Sequence, residues 1–369
     1  MIEIRKVSYK DKDFLKLPWQ IYREDPYWIP PLFAVQKKLL DVNKNAFYKN
    51  AKLQLFLAYK DGELAGRVAG ILNRLHNEYT GEKTVFFGFF ESINDRQVTQ
   101  SLLAAVAKWG QEHQMKTLKG PVSPSINDDS GLLIDGFNSS PYLMMSYNPS
   151  YYVSLLEGYG LQKSKDLLAY FLDAKDSETP VLVHISETVR KQENVRIRNV
   201  DLKKGAKEEV DLAYQVYNDA WSRNWGFVPM TREEMGDKLK DLKDIAIPDF
   251  TFVVEAHQKP VGFWLALPNL NEILKPLNGR LFPFGWLKLM GDFKKISTIR
   301  VFALGVLQEY QKKGLGAVCY HELIKRGRKL NILKGELSWV LEDNHQLNKS
   351  LLQLGSKVYK KYRIYEKPI

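Results

Sequence analysis

One order of elements occurs twice along this chain, and that repetition constrains the fold more than any single motif. The first half runs from the strand-like EIRKV (3–7) through an aromatic segment containing DPYWIPP to the pair LQLFLAYKDGELAGRVAGIL (53–72). In that pair, two apolar runs flank Asp61-Gly62, a hairpin signal. The strand TVFFGFF (84–90) then precedes a helix from about Val98 to His113, in which Leu102, Ala105, Val106 and Trp109 recur at helical spacing. A strand and long loop (116–137), a helix opened by Asn148-Pro149 and ending near Gly160, and the strand LLAYFL (167–172) complete the half.

The second half repeats the order. VRIRNV (195–200) is followed by a helix with Val210, Ala213, Val216, Tyr217 and Ala220 on one face, and by a helix whose Thr231-x-x-Glu234 start reads as a capping box. The hairpin-like FTFVVEAHQKPVGFWLALP (250–268), an insertion, TIRVFALGV (298–306), a helix, GELSWVLED (335–343) and a last helix and strand follow. Each half reads β-α-β-β-β-α-β-α-β, the first poorer in opening helices. Strands that alternate with helices but also form hairpins predict an α/β fold with a mixed α+β sheet, built twice. The boundaries read as a domain over 1–172, a connector over 173–194 that includes a helix, and a domain over 195–369.

Composition agrees with two globular domains: 369 residues, 44% hydrophobic and 26% charged. Cys319 is the only cysteine and the six histidines form no HxxxH pair, so neither a disulfide framework nor a metal site is expected. MIEIRKVSYKDKDF carries charges where a signal peptide needs an apolar core, and no run approaches the length of a membrane span, so a soluble, cytoplasmic protein is expected. A net charge of +11 suits phosphate-bearing partners or an anionic membrane surface, and equally a solvated basic surface, since Lys and Arg are spread rather than massed. Nucleic acid is not an expected partner.

The stretch LGVLQEYQKKGLGAVCYHELIKRGRKL (304–330) passes from strand through a two-glycine turn into a helix. It is neither GxGxxG nor GxxxxGK[ST]. What remains is Gln311-x-x-Gly314-x-Gly316-Ala317, with Lys312 and Lys313 beside it. Glycines allow close backbone approach, and the N–H groups of a first helical turn attract a pyrophosphate. Spacing alone leaves that reading level with a plain strand-to-helix turn.

The stretch resembles the acyl-CoA-binding motif of the GNAT superfamily of N-acyltransferases, a strand followed by R/Q-x-x-G-x-G/A and a helix. LEDNHQLNKSLLQLGSKVY resembles the family's later block, with Asn344 and Gly355 at its asparagine and glycine positions. The chain also resembles a bacterial group of tandem GNAT proteins marked by FFGFFE, GPVSPSIND, NPSYY, NWGFVPM and LSWVLEDN. The resemblance implies two tandem GNAT-like domains, the first degenerate, with acetyl-CoA or another acyl-CoA as co-substrate and no metal. Backbone N–H groups of Lys312, Lys313, Gly314, Leu315, Gly316 and Ala317 would hold the pyrophosphate, Leu304 and Val306 would pair with the pantetheine arm, and Asn344 would meet it. Splayed parallel strands would leave a backbone oxyanion site.

The implied activity is transfer of an acyl group, acetyl first, from acyl-CoA to an amine by direct attack in a ternary complex. One alternative is long-chain transfer to a lipid amine such as a sphingoid base; another is a non-catalytic CoA-binding module. Fem-type relatives, which use aminoacyl-tRNA, generally lack the glycine motif. Where many members place a tyrosine acid this chain has Leu351, so Tyr359, Tyr362 or Tyr365 would have to supply it, although a CoA thiolate leaves with little proton assistance because thiols ionise near pH 8.5. For the base, the strand period places Glu336, Ser338, Val340 and Glu342 on one face; Glu336 is the first choice and Glu342 the second, with pairing of Glu336 to Arg300 as the structural alternative.

In the first half Glu91 and Asp95 stand where phosphates would bind. Asn127, Asp128 and Asp129 either hold a cationic amine in a shared cleft or serve turns and caps, the latter being favoured. The insertion 271–295 mixes Leu281, Phe282, Phe284, Trp286, Leu287, Leu289, Met290 and Phe293 with Arg280, Lys288, Lys294 and Lys295. It reads as inter-domain packing first, and otherwise as a cover for a long acyl chain or a peripheral membrane contact.

Overall fold

The computed structural model describes residues 1–204 and 207–369. Packing divides the chain into two compact units, one of Met1–Leu168, Asn271–Lys294 and Lys360–Ile369, the other of Ala169–Leu270 and Lys295–Tyr359. Compactness therefore groups residues otherwise than chain order does. The insertion and the last ten residues join the first unit, and the segment 173–194 lies wholly within the second.

The first unit opens with β1 (Ile2–Val7), α1 (Lys12–Ile21) and α2 (Phe33–Leu40). The repeated order implies a helix after the first strand, but the sequence pattern located neither of these two. α1 begins where the Asp11 side chain accepts the N–H groups of Asp13 and Phe14, and it carries Pro18 inside, which masks the helical pattern. β2 (Ala51–Lys60) and β3 (Glu63–Asn73) form the expected hairpin, with Asp61 and Gly62 both at positive φ (52° and 87°), the geometry of a two-residue turn. Next come α3 (Arg74–Thr80), β4 (Thr84–Ser92) and α4 (Arg96–Glu112). α4 lays Val98, Leu102, Val106 and Trp109 on the sheet. Gly66 and Gly70 of β3 make room for it: a Cβ on either would stand 2.7 Å from Leu102 or 2.8 Å from Trp109.

β5 (Thr117–Gly120), β6 (Val122–Ser123), β7 (Asp129–Ser130), β8 (Leu132–Asp135), α5 (Tyr151–Gly158) and β9 (Gln162–Asp173) complete this part of the chain. The second unit adds α6 (Pro180–Gln192), β10 (Arg196–Asn199), α7 (Lys207–Ala220), α8 (Arg232–Leu242), β11 (Thr251–Ala256) and β12 (Lys259–Pro268). After α9 (Asn271–Leu274) and α10 (Gly285–Asp292) of the insertion come β13 (Thr298–Val306), α11 (Leu315–Leu330), β14 (Lys334–Leu341), α12 (His345–Gln353) and β15 (Lys357–Pro368). The Thr231–Glu234 capping box is present in both directions.

The first unit's sheet runs β1–β2–β3–β4–β5–β15 with β8 also on β15; only β4 and β5 are parallel among its paired strands. The second unit's runs β10–β11–β12–β13–β14–β9, with β13 and β14 parallel. α6 packs along α11, where Arg190 pairs with Glu322 at 2.7 Å. In this core Trp264 stacks on Phe252 (centroids 5.7 Å apart) and meets Tyr320 edge-on (5.2 Å). At Gly305 of β13 the Trp221 ring comes so close that a Cβ would lie 2.6 Å from it, which fixes the strand leading to the glycine turn. Among the described residues no helix is long and apolar enough to cross a membrane.

Candidate active site

The parallel ladder between β13 and β14 lasts four residues, from Thr298↔Lys334 to Val301↔Leu337. β13 continues to Val306, paired on its other edge with β12 up to Gly262↔Val306. The main chain of Phe302–Val306, which includes Leu304 and Val306, therefore presents to the β14 side an edge that no β-ladder uses. A 3-10 turn over Gln308–Lys313 follows and ends at Gly314, whose φ of 78° is left-handed and suits glycine.

Gly314 is the N-cap of α11 and no side chain caps the helix. Ala317 N–H turns back to the Gly314 carbonyl (3.0 Å). Leu315 and Gly316 contribute the first helical N–H groups, which with the helix dipole favour an anion. A Cβ on Gly316 would meet nothing within 4 Å, so packing of the chain itself does not call for a glycine there. Gln311 acts as a brace, its amide donating to the carbonyls of Val306 (3.1 Å) and Ala220 (3.3 Å). Gln308 adds a second brace that sequence reasoning did not single out. Its N–H meets the Asp219 carboxylate at 2.7 Å, and its amide meets the Asp219 carbonyl and the Ser222 hydroxyl, both at 2.8 Å. Lys313 is drawn to Glu193 (2.9 Å), while Lys312 is exposed.

Glu336 lies fully buried on β14. The Ser338 hydroxyl and the Tyr359 phenol both donate to its carboxylate. Arg300 Nε stands 3.8 Å away and donates to the Ser338 hydroxyl at 2.9 Å. The pairing with Arg300 thus exists, and two of the three residues singled out for catalysis, Glu336 and Tyr359, are joined by a hydrogen bond. Glu342 lies beyond the end of β14, where its carbonyl accepts from the Asn348 amide (3.1 Å). Asn344 caps α12, its side-chain oxygen accepting the Leu347 N–H at 3.2 Å, so the cap engages that oxygen and leaves the amide nitrogen for other use. Asn348, which the sequence did not point to, ties down the same corner by donating to Leu341 and accepting from Tyr170 (2.8 Å). Leu351 is buried core; Tyr362 and Tyr365 belong to the first unit, where the Tyr365 hydroxyl donates to Glu157 at 3.1 Å.

The Acetyltransferase (GNAT) family model matches residues 210–355, a span that contains the unladdered edge, the glycine turn and Asn344. Protein YghO of Escherichia coli K12 is 38% identical over 371 residues, covering 97% of this chain and 93% of its own. The chain belongs to the GNAT superfamily. Bacterial ceramide synthase of Caulobacter vibrioides is 32% identical over 368 residues, covering 97% of this chain and 94% of its own. A tandem GNAT protein from the clavulanic acid biosynthesis pathway shares the fold over 100% of this chain and 98% of its own, with a TM-score of 0.59 at 12% identity. A GCN5-related N-acetyltransferase from Sphaerobacter thermophilus gives 0.51 over 100% and 95% at 15% identity.

The first unit is the GNAT copy in which the chain fills both parts of the corresponding site. Its β4–β5 ladder ends at Phe86↔Lys119. Beyond it, Phe89 N–H donates to the Ser123 hydroxyl (2.8 Å), and Gly88 lies so close to β6 that a Cβ would fall 1.6 Å from the Val122 carbonyl oxygen. At the start of α4 the Asp95 carboxylate accepts the N–H groups of Gln97 (2.8 Å) and Val98 (3.0 Å), taking the place of an anion. Glu91 is enclosed by Tyr152 (2.7 Å), Tyr22 (2.9 Å) and Arg67 (3.5 Å); burial pushes its carboxyl up, against the pull of Arg67 and the two phenols. Asp128 accepts from the Ser125 hydroxyl (2.5 Å), Asn127 N–H donates to the same hydroxyl (3.2 Å), and Asp129 pairs with Ser123 in the β6–β7 ribbon.

Gly316→Ala is expected to keep or slightly raise the melting temperature, because alanine in a helix is favoured over glycine by about 0.5–1 kcal/mol, while weakening CoA binding at least tenfold. Paired melting and titration calorimetry check this; an alanine variant that binds CoA normally would refute close backbone approach at this position. Cys319 is fully buried in α11, and burial pushes its thiol up to about 12. Its thiolate fraction at pH 8 is then negligible, so a thiol reagent should leave native protein unlabelled and label it once unfolded. Rapid native labelling would contradict the burial of this thiol.

Proposed function

We propose that this protein transfers a long-chain acyl group from acyl-CoA to the amine of a lipid, such as a sphingoid base, by direct attack in a ternary complex. The observation that carries the reading is the uncapped glycine entry of α11 beside the unladdered edge of β13. One would present N–H groups to a pyrophosphate and the other would offer backbone groups to a pantetheine arm. A chain 32% identical over nearly its whole length is named a ceramide synthase, which favours a lipid amine. The family's own description, acetyltransferase, supports a second reading, acetyl transfer to a small amine.

In the proposed reaction the neutral amine forms the C–N bond at the thioester carbon, the C–S bond breaks, and CoA leaves as a thiolate while the ammonium sheds its proton. Orientation of the two substrates and backbone N–H groups facing the developing oxyanion supply most of the acceleration. Tyr359 is partly exposed and its phenol is held by buried Glu336, which Arg300 and Ser338 fix in turn. Tyr359 is therefore the proposed proton-handling group, and Glu336 positions it rather than meeting the amine.

CoA release should be at least tenfold faster with palmitoyl-CoA and sphinganine than with acetyl-CoA and polyamines, and calorimetry should give one acyl-CoA per chain. The opposite preference would select the second reading; no acyl-CoA binding by folded protein would sink both. Tyr359→Phe is expected to lower kcat by about 10²-fold with little change in the acyl-CoA KM. Unchanged kcat across the pH range would remove Tyr359 from the chemistry.

A further inference from the structure

The insertion that follows β12 is anchored at one end and bare at the other. Its first part docks on the first unit: the Asn271 amide donates to the Pro141 carbonyl (2.8 Å), the Trp19 indole to Asn278 (2.7 Å), and Phe33 N–H to the Gly279 carbonyl (3.0 Å). Gly279 leaves no room for a side chain, since a Cβ would stand 2.6 Å from Trp19. Beyond this anchor the character changes. Phe282 is 85% exposed, Phe284 73% and Met290 70%, and Trp286 and Leu287 are about half exposed. α10 buries none of its residues. This part of the segment adds no side chain to a buried core.

Among the described residues, these are the only exposed phenylalanine and tryptophan side chains. At 100° per residue, Leu289, Trp286, Met290 and Leu287 span roughly 160° of α10, with Lys288 and Asp292 opposite. The stretch 280–295 carries four cations, Arg280, Lys288, Lys294 and Lys295, against one carboxylate, Asp292. Soluble proteins rarely leave such an apolar cluster to water.

We propose that α10 and the Phe282–Phe284 segment dock the protein on a lipid bilayer with anionic headgroups, the rings entering the interface and the cations resting on the phosphates. The charge favours this occupant, because a segment with four cations and one carboxylate complements an anionic surface. So does the shape: rings that stand this clear of their own surface need no matching recess in a fluid bilayer, whereas a protein partner would have to supply one. A tryptophan among basic residues is also the composition of an interfacial helix. The proposal deepens the reading of the protein as a lipid-amine acyltransferase, since both of those substrates would lie in or on a membrane.

The test is flotation of the full-length chain with vesicles of phosphatidylcholine alone and of phosphatidylcholine with about one-third phosphatidylglycerol, at low and high salt. Binding to the anionic vesicles is expected, falling at least tenfold with the zwitterionic vesicles or at high salt. Phe284→Ser/Trp286→Ser should abolish flotation, and Lys288→Glu/Lys294→Glu should reduce it on the order of tenfold or more. Both variants should keep the wild-type melting temperature and acyl-CoA affinity, because none of the four side chains is buried. Failure of the wild type to float, or flotation of the serine variant like wild type, would overturn the proposal. So would light scattering that shows a vesicle-indifferent dimer made monomeric by the serine pair, which would assign the patch to a second copy. Protein that floats but binds no acyl-CoA would keep the docking surface and lose the enzymatic reading.

Discussion

A helix cannot satisfy the N–H groups of its own first turn, and the two halves of this chain answer that constraint in opposite ways. In the first unit Asp95 folds its carboxylate back onto α4, and β6 presses on β4 so closely that only Gly88 fits. In the second unit a left-handed Gly314 begins α11 with no side-chain cap, and β13 leaves β14 after four paired residues. The same strand-helix-strand frame is closed by the chain in one case and open to a ligand in the other. Everything proposed about chemistry depends on that difference.

The open site is held by residues away from the glycines. Gln308 and Gln311 tie the turn to Asp219, Ala220, Ser222 and Val306, and Trp221 sits on Gly305. α6 contributes Val189, whose methyl would lie 3.0 Å from a Cβ on Gly314. The segment that reads as a connector thus forms one wall of the glycine turn. On the far side buried Arg300, Glu336 and Ser338 form a polar cluster with the partly exposed Tyr359, the kind of network that fixes a geometry when its members are hydrogen-bonded.

Local signals carried much of this. The Asp61-Gly62 hairpin, the Thr231–Glu234 capping box, the α4 face of Leu102, Val106 and Trp109 and the strand-glycine-helix stretch each depend on residues close in sequence, so their patterns were legible. α1 was not, because Pro18 interrupts its period and its buried face borrows partners from elsewhere. Nor was the return of residues 360–369 to the first unit, since strand order is a property of distant pairing. In the site, the strand period brought Glu336 and Ser338 to one face, but only the fold could show Tyr359 bonded to that carboxylate. Asn348 carried no signal beyond its place in an amphipathic helix.

β15 gives the chain an assembly order. Its Tyr365 pairs with Gly120 of β5, and Arg363 forks onto Asp166 (2.7 and 3.0 Å). The sheet founded by β1 therefore gains its sixth strand from a segment separated from it by nearly the whole of the second unit. Such long-range closure is slow and brings cooperativity with it. During synthesis the first unit would wait, one sheet edge unfilled, until the second unit had emerged. The two GNAT copies are thus poor candidates for exchange as separate modules, and a gene cut between them would yield halves that each lack a strand.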